Sequence, residues 1–112
     1  MIYEIRNYHF DPDRFDEYKV WAREEALPFL RAHIDLVDFW VECGISPEIT
    51  GPPLDSLGSA NITWVIRWQD KADRDARFGP LMAGPEWKEI FSRVPGGIES
   101  YRRMEAKFFE SM

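Results

Sequence analysis

An α+β domain, with helices laid on one face of an antiparallel sheet, is the fold class this sequence predicts. Two observations carry it. The stretches IYEIRNYHF, LVDFWVEC and ITWVIRWQ are rich in β-branched and aromatic residues and alternate with a period of two. Between the first and second, and again after the third, run segments whose apolar residues recur at helical spacing. The resulting order, β-α-β-β-α with a tail still to be assigned, is the ferredoxin-like pattern of two βαβ units.

The first strand stops at Asp11 and Pro12. Asp11 suits a helix N-cap and Pro12 the first helical position, while Asp13, Asp16 and Glu17 oppose the positive end of the helix dipole. Phe15, Tyr18, Ala22, Ala26 and Phe29 define the buried stripe of this helix. Pro28 falls inside it and predicts a kink, because its ring and missing N–H cost about 3 kcal/mol in a straight helix. In the second strand Val37, Phe39, Val41 and Cys43 share a side, and Cys43 reads as a small buried hydrophobe. Residues 44 to 61 hold three prolines and three glycines and form a long loop, either a solvated excursion or a lid or subunit-clasping arm. Asp70 caps the next helix, KADRDARF, which Gly79-Pro80 breaks or kinks; Gly84-Pro85 then opens PEWKEIFSRV. The tail IESYRRMEAKFFE places Ile98, Tyr101, Met104 and Phe108 at helical spacing and on its own residues favours a helix.

A chain of 112 residues is one domain by size and buries about two-thirds of the surface its unfolded form exposes. Fourteen basic and twenty acidic residues give a net charge of −6, which argues against nucleic acid. A single cysteine excludes an intrachain disulfide and any CxxC motif, and fits a reducing compartment. No signal-like N-terminus and no membrane-length apolar run is evident, so the expectation is a cytoplasmic protein with no membrane partner. Two histidines and one cysteine on separate segments, and no Gly-rich phosphate loop, lead us to expect no metal, haem or flavin. Aromatic residues reach 15%, five of them tryptophan, an excess that suits a bulky core, a ligand pocket or a subunit interface.

Alternation assigns faces. Tyr3, Ile5, Val37, Phe39, Val41, Ile62, Trp64, Ile66 and Trp68 are expected toward the helices. The reverse face would hold Glu4, Arg6, Tyr8, Asp38, Trp40, Glu42, Thr63, Val65, Arg67 and Gln69, too apolar to be left in water and too charged for an ordinary core. A second copy's sheet would suit it. We therefore expect a homodimer with Arg6, Tyr8, Trp40, Val65 and Arg67 at the interface, and with Arg6 and Arg67 paired to Glu4, Asp38 or Glu42.

The segments YEIRNY, FDEYKVWAREEALPFLRAH, WVIRWQDKADRDAR and GPEWKEI, in that order, resemble the NIPSNAP family of the dimeric α+β barrel superfamily. The likeness runs through nearly the whole chain apart from the loop at 44 to 61. It implies that residues 1–112 form one ferredoxin-like βαββαβ protomer with a four-stranded antiparallel sheet. Two such sheets would pack as a dimeric α+β barrel. It also makes the tail a fourth strand, against the helical spacing. It implies no agreed set of catalytic residues. The superfamily includes cofactor-independent oxygenases and haem-degrading enzymes. Of the haem pattern, Asn7 and Trp64 match two roles, but no histidine follows Asp70 to supply the axial ligand.

Candidate chemistry then rests on single residues. His9, expected beside Asn7 on the helix side, could be a general base, or a strand-end histidine bonded to a backbone carbonyl. His33 at a helix C-terminus is explained by the dipole. Asn7, Tyr18, Trp64 and Trp68 could line a pocket for a small apolar or aromatic ligand, although at these spacings they also serve as plain core. Two functions follow. One is a dimeric domain that binds a small apolar molecule or a partner protein. The other is a cofactor-independent oxygenase or isomerase acting on a small aromatic substrate in the sheet-helix cavity. The site is expected at the His9 end of the first helix and not at Pro28, roughly 25 Å along.

Overall fold

The computed structural model describes residues 1–52 and 56–112. Strand β1 (Ile2–Phe10) leads through a capped turn into a helix whose parts are α1 (Phe15–Trp21), a π turn (Ala22–Ala26) and α2 (Leu27–His33). Strands β2 (Leu36–Val41) and β3 (Ile62–Trp68) follow, then α3 (Lys71–Ala83), α4 (Pro85–Phe91) and β4 (Tyr101–Phe109). The four strands form one antiparallel sheet in the order β2-β3-β1-β4. This is the α+β architecture expected from the element order.

The capping signals act where the sequence places them. Asp11 accepts from the Asp13 N–H at 3.0 Å and Asp70 from the Asp73 N–H at 2.8 Å, each satisfying a donor left over at a helix start. Pro28 does not break its helix. The distortion lies one turn earlier, in the π turn, whose wider spacing accommodates a residue that cannot donate to the preceding turn. Pro80 is likewise carried inside α3.

The tail is a strand, so its helical spacing misleads. Tyr101–Phe109 pairs with β1 from Tyr3 to Phe10, and its exposed Arg102, Glu105 and Lys107 are what an edge strand needs to resist further pairing. The phase of β2 also departs from expectation. A register shift between Leu36 and Asp38 turns Leu36 inward and Val37 out, to 48% exposure, while Phe39 and Val41 keep their helix-facing positions. Cys43 lies beyond the end of β2 and is exposed, so the buried hydrophobe expected there is corrected.

The largest correction concerns β1. Glu4, Arg6 and Tyr8 stand opposite Ile66, Trp64 and Ile62 of β3, and directly opposed residues share a face. That face is the helix side, since Ile62 and Ile66 are fully buried beneath the helices, as are Glu4 and Phe10. Tyr3, Ile5, Asn7 and His9 consequently point outward with Thr63, Val65 and Arg67.

Asn61 fastens the end of the sheet. Its side chain accepts from the Phe10 N–H at 2.8 Å and donates to the Phe10 carbonyl at 2.9 Å, while its own backbone bonds Tyr8 and Glu42. Asn61→Ala strands both Phe10 backbone groups next to a core ring and is expected to destabilise the fold by about 1–3 kcal/mol, read from the urea midpoint. The long loop, at Thr50, Gly58, Ser59 and Ala60, borders a surface recess together with Asn7, Arg103 and Glu105 of the outer face. Among its described residues, the Ser59 carbonyl faces His9 Nδ1 at 3.1 Å. The part of the lid or arm expectation that falls on 53–55 lies outside the described residues.

Candidate functional site

A carboxylate sits in the apolar layer between sheet and helices. Glu4 receives Arg6 Nη1 at 2.6 Å, Arg74 Nε at 3.0 Å, Arg74 Nη2 at 3.1 Å and Trp68 Nε1 at 3.1 Å. Burial by itself would raise its pKa, but the hydrogen bonds from Arg74 and Arg6 outweigh burial and hold the carboxyl below its ordinary value. Glu4 is therefore an anion in the folded chain, shared by two guanidinium groups, one on β1 and one on α3.

Arg6 reaches onward into an aromatic cage. Its guanidinium carbon lies 5.6 Å from the Tyr8 ring centroid, 5.3 Å from Trp64 and 5.4 Å from Phe78, and its Nε donates to the Tyr8 hydroxyl. Burial raises the Tyr8 pKa although Arg6 opposes the shift, so the phenol keeps its proton at neutral pH. Tyr18 is pushed well above its ordinary value, and Tyr101 upward, in each case by burial first. Trp64 Nε1 is buried beside the Tyr8 hydroxyl, close enough to bear on its ionisation, yet closes no hydrogen bond of acceptable geometry.

This group borders a cavity of about 170 Å³ between the sheet and the helices. Arg6 and Tyr8 form one wall and Trp64 and Phe39 another, with Tyr18, Trp21, Ala26 and Leu30 supplied by the first helix and Phe78, Met82, Trp87 and Phe91 by the later ones. Trp21 Nε1 donates to the Ile90 carbonyl at 3.0 Å and so ties the first helix to α4 across the cavity's helix side. Ile98 and Met104, 57% and 50% exposed, mark a mouth at the β4 edge. Its volume is close to the ~150 Å³ of an apolar cavity that accepts benzene.

The sequence-derived candidates divide around this cavity. Tyr18 and Trp64 line it, while Trp68 lies against Phe78 and bonds Glu4 behind the wall. Asn7 is on the outer face, bonded to Thr63 Oγ1 at 2.7 Å, so its expected helix-side position is corrected. His9 is corrected in the same way. It faces outward at the bulge between His9 and Phe10, and the cavity lies along the middle of the first helix, at neither the His9 end nor beside Phe29 and His33. Of the residues expected at a dimer interface, Trp40, Val65 and Arg67 are on the outer face, whereas Arg6 and Tyr8 belong to the inner one. The Arg6–Glu4 pair forms as expected but on the opposite side of the sheet. Arg67 pairs with Asp35 at 2.7 Å and not with Glu4, Asp38 or Glu42. The signal that could have placed Arg6 and Tyr8 is Phe10, in phase with both and too apolar to end an exposed row.

Among the described residues, no group of three or more His, Cys, Asp or Glu side chains is placed to hold a metal ion. No helix of the described residues is long and apolar enough to cross a membrane.

No protein-family model matches the chain, and no curated protein matches it. Solved structures do. An uncharacterised NIPSNAP domain protein from Burkholderia xenovorans superposes with a TM-score of 0.75 at 18% identity, over 100% of this chain and 95% of its own. A NIPSNAP family protein of unknown function from Agrobacterium tumefaciens gives 0.73 at 22% identity, over 97% and 86%. A putative antibiotic biosynthesis monooxygenase from Bacteroides thetaiotaomicron gives 0.61 at 14% identity, over 99% and 89%. The fold is the one found in NIPSNAP proteins, in keeping with the resemblance read in the sequence.

Proposed function

We propose that this domain is a homodimer that binds a small one-ring molecule between sheet and helices. The observation carrying the reading is the cavity itself. It has an almost wholly aromatic and aliphatic lining, one wall that presents Arg6 and Tyr8, and a volume suited to a single ring. A binding role fits it better than catalysis. Among the described residues, the ionisable groups on its walls are an arginine and three tyrosines, all held protonated at neutral pH, and His9 faces away from them. An oxygenase or isomerase that must draw a proton from its substrate would find no base there.

The dimer is proposed through the outer sheet face, where Tyr3, Ile5, Trp40, Val65 and Phe109 form an apolar band crossed by Arg67, Asp38, Glu105 and Lys107. A second copy of such a face offers both an apolar contact and charges of both signs. The protein is read as cytoplasmic, with no nucleic-acid or membrane partner and no resident metal, haem or flavin.

Tryptophan fluorescence tests the binding role, since Trp21, Trp64 and Trp87 all border the cavity. Toluene titrated into the unmodified protein should shift their emission saturably, and Ala26→Phe, which fills the space, should abolish the shift while circular dichroism stays unchanged. A protein that takes up no one-ring molecule, neutral or charged, would overturn the reading.

A further inference from the structure

The charges around the cavity do not balance. Glu4 is one carboxylate between two guanidinium groups, and it is fully buried. Asp75 touches Arg74 at 3.2 Å but is already held by Lys71 at 2.7 Å, so counting Asp75 and Lys71 leaves the excess of one positive charge unchanged. Of the two guanidiniums, that of Arg6 faces the cavity; its side chain is only 16% exposed and, among the described residues, it is the sole charged group on the cavity wall.

Donors are in surplus as well. Arg6 spends Nη1 on Glu4 and Nε on Tyr8, and among the described residues no acceptor meets its Nη2. Tyr8 accepts from Arg6, which leaves the phenol's own proton to be donated, and burial keeps that proton in place. A Tyr8 hydroxyl that donates into the cavity would also keep a lone pair turned toward the buried Trp64 Nε1, which otherwise has no acceptor. An uncompensated cation, two unused donors and an apolar chamber for one ring describe a ligand with an acceptor-rich, negatively charged end.

We infer that the cavity selects an aromatic carboxylate, the ring in the apolar chamber and the carboxylate oxygens on Arg6 Nη2 and the Tyr8 hydroxyl. This rests on the proposed binding role and adds the chemical class of the ligand. A carboxylate fits Arg6 better than a neutral polar group. It brings the missing negative charge, and two oxygens can take the guanidinium and phenol protons together. Removing the charge should cost about tenfold or more in affinity, the usual scale for a hydrogen bond to a charged group in a desolvated site.

Phenylacetate and phenylacetamide provide the test, because they differ in charge and hardly in shape. Isothermal titration of the unmodified protein should show phenylacetate binding at least about tenfold more tightly. Arg6→Met should remove that preference. If it fails to fold, Tyr8→Phe, which keeps the ring and the packing, should reduce the preference in part. Equal affinities for the two compounds in the unmodified protein, with toluene still bound, would overturn the carboxylate inference and leave the binding role standing. Failure of all three compounds would overturn both.

Discussion

Glu4→Gln is expected to destabilise the protein by about 3–5 kcal/mol, the usual effect of removing one partner from a buried ion pair. The change is nearly isosteric, so packing is preserved and the loss is electrostatic. Arg6 and Arg74 would face a neutral amide, with Arg6 among three aromatic rings and largely removed from bulk water. The same carboxylate sets a dependence on pH. Its pKa in the folded chain lies below the ordinary 4.5, so the folded state favours the ionised form. The stability it contributes is present in full above the unfolded pKa and is lost as pH falls through the lower folded value. Urea midpoints of the unmodified protein should therefore drop on acidification below about pH 4.5, and the gap between it and Glu4→Gln should narrow over the same interval. A gap that stays constant from pH 7 to 3 would mean that Glu4 acts through packing alone.

That carboxylate also shows where sequence reading stops. Alternation identifies β1 as a strand, and the apolar phases of β3 and most of β2 are correct because only one parity in each can form a core. In β1 both parities carry large apolar residues, Tyr3 and Ile5 against Tyr8 and Phe10. The presence of Glu4 and Arg6 then tips the choice toward the wrong face. What buries Glu4 is Arg74, seventy residues away on α3, and a pair so distant in sequence leaves no periodic trace. The tail fails for a related reason. Its helix-forming residues are overridden by an open strand edge on β1, which is a property of the assembled sheet and not of the segment. Caps, by contrast, are local, and Asp11 and Asp70 act where they are read. The cavity is half legible. Tyr18 and Trp64 announce an aromatic pocket, but its polar wall depends on the face of β1, and its far side comes from α3, α4 and β4.

Val65→Arg is expected to convert the proposed homodimer into a monomer. Val65 lies on the outer face of β3, opposite Ile5 on one neighbouring strand and Asp38 on the other, and only 8% of it is exposed even within one chain. A guanidinium there must rise out of an apolar band, and between two packed sheets its charge would be stripped of water beside Ile5, with the neighbouring Asp38 carboxylate already engaged by the Phe39 N–H and Trp40 Nε1. Arg67 is a poorer probe, because its reversal would set a second carboxylate against Asp35 within the same chain and blur folding with assembly. In the monomer the introduced guanidinium can extend into solvent on its own aliphatic stem, so folding should survive. Light scattering at micromolar concentration should give twice the chain mass of 13.2 kDa for the unmodified protein and 13.2 kDa for the variant, with matching circular dichroism. A monomeric unmodified protein would remove the outer face from any role in assembly. A variant that remains dimeric would move the interface elsewhere, to the β4 edge, where Phe108 and Phe109 are also partly exposed.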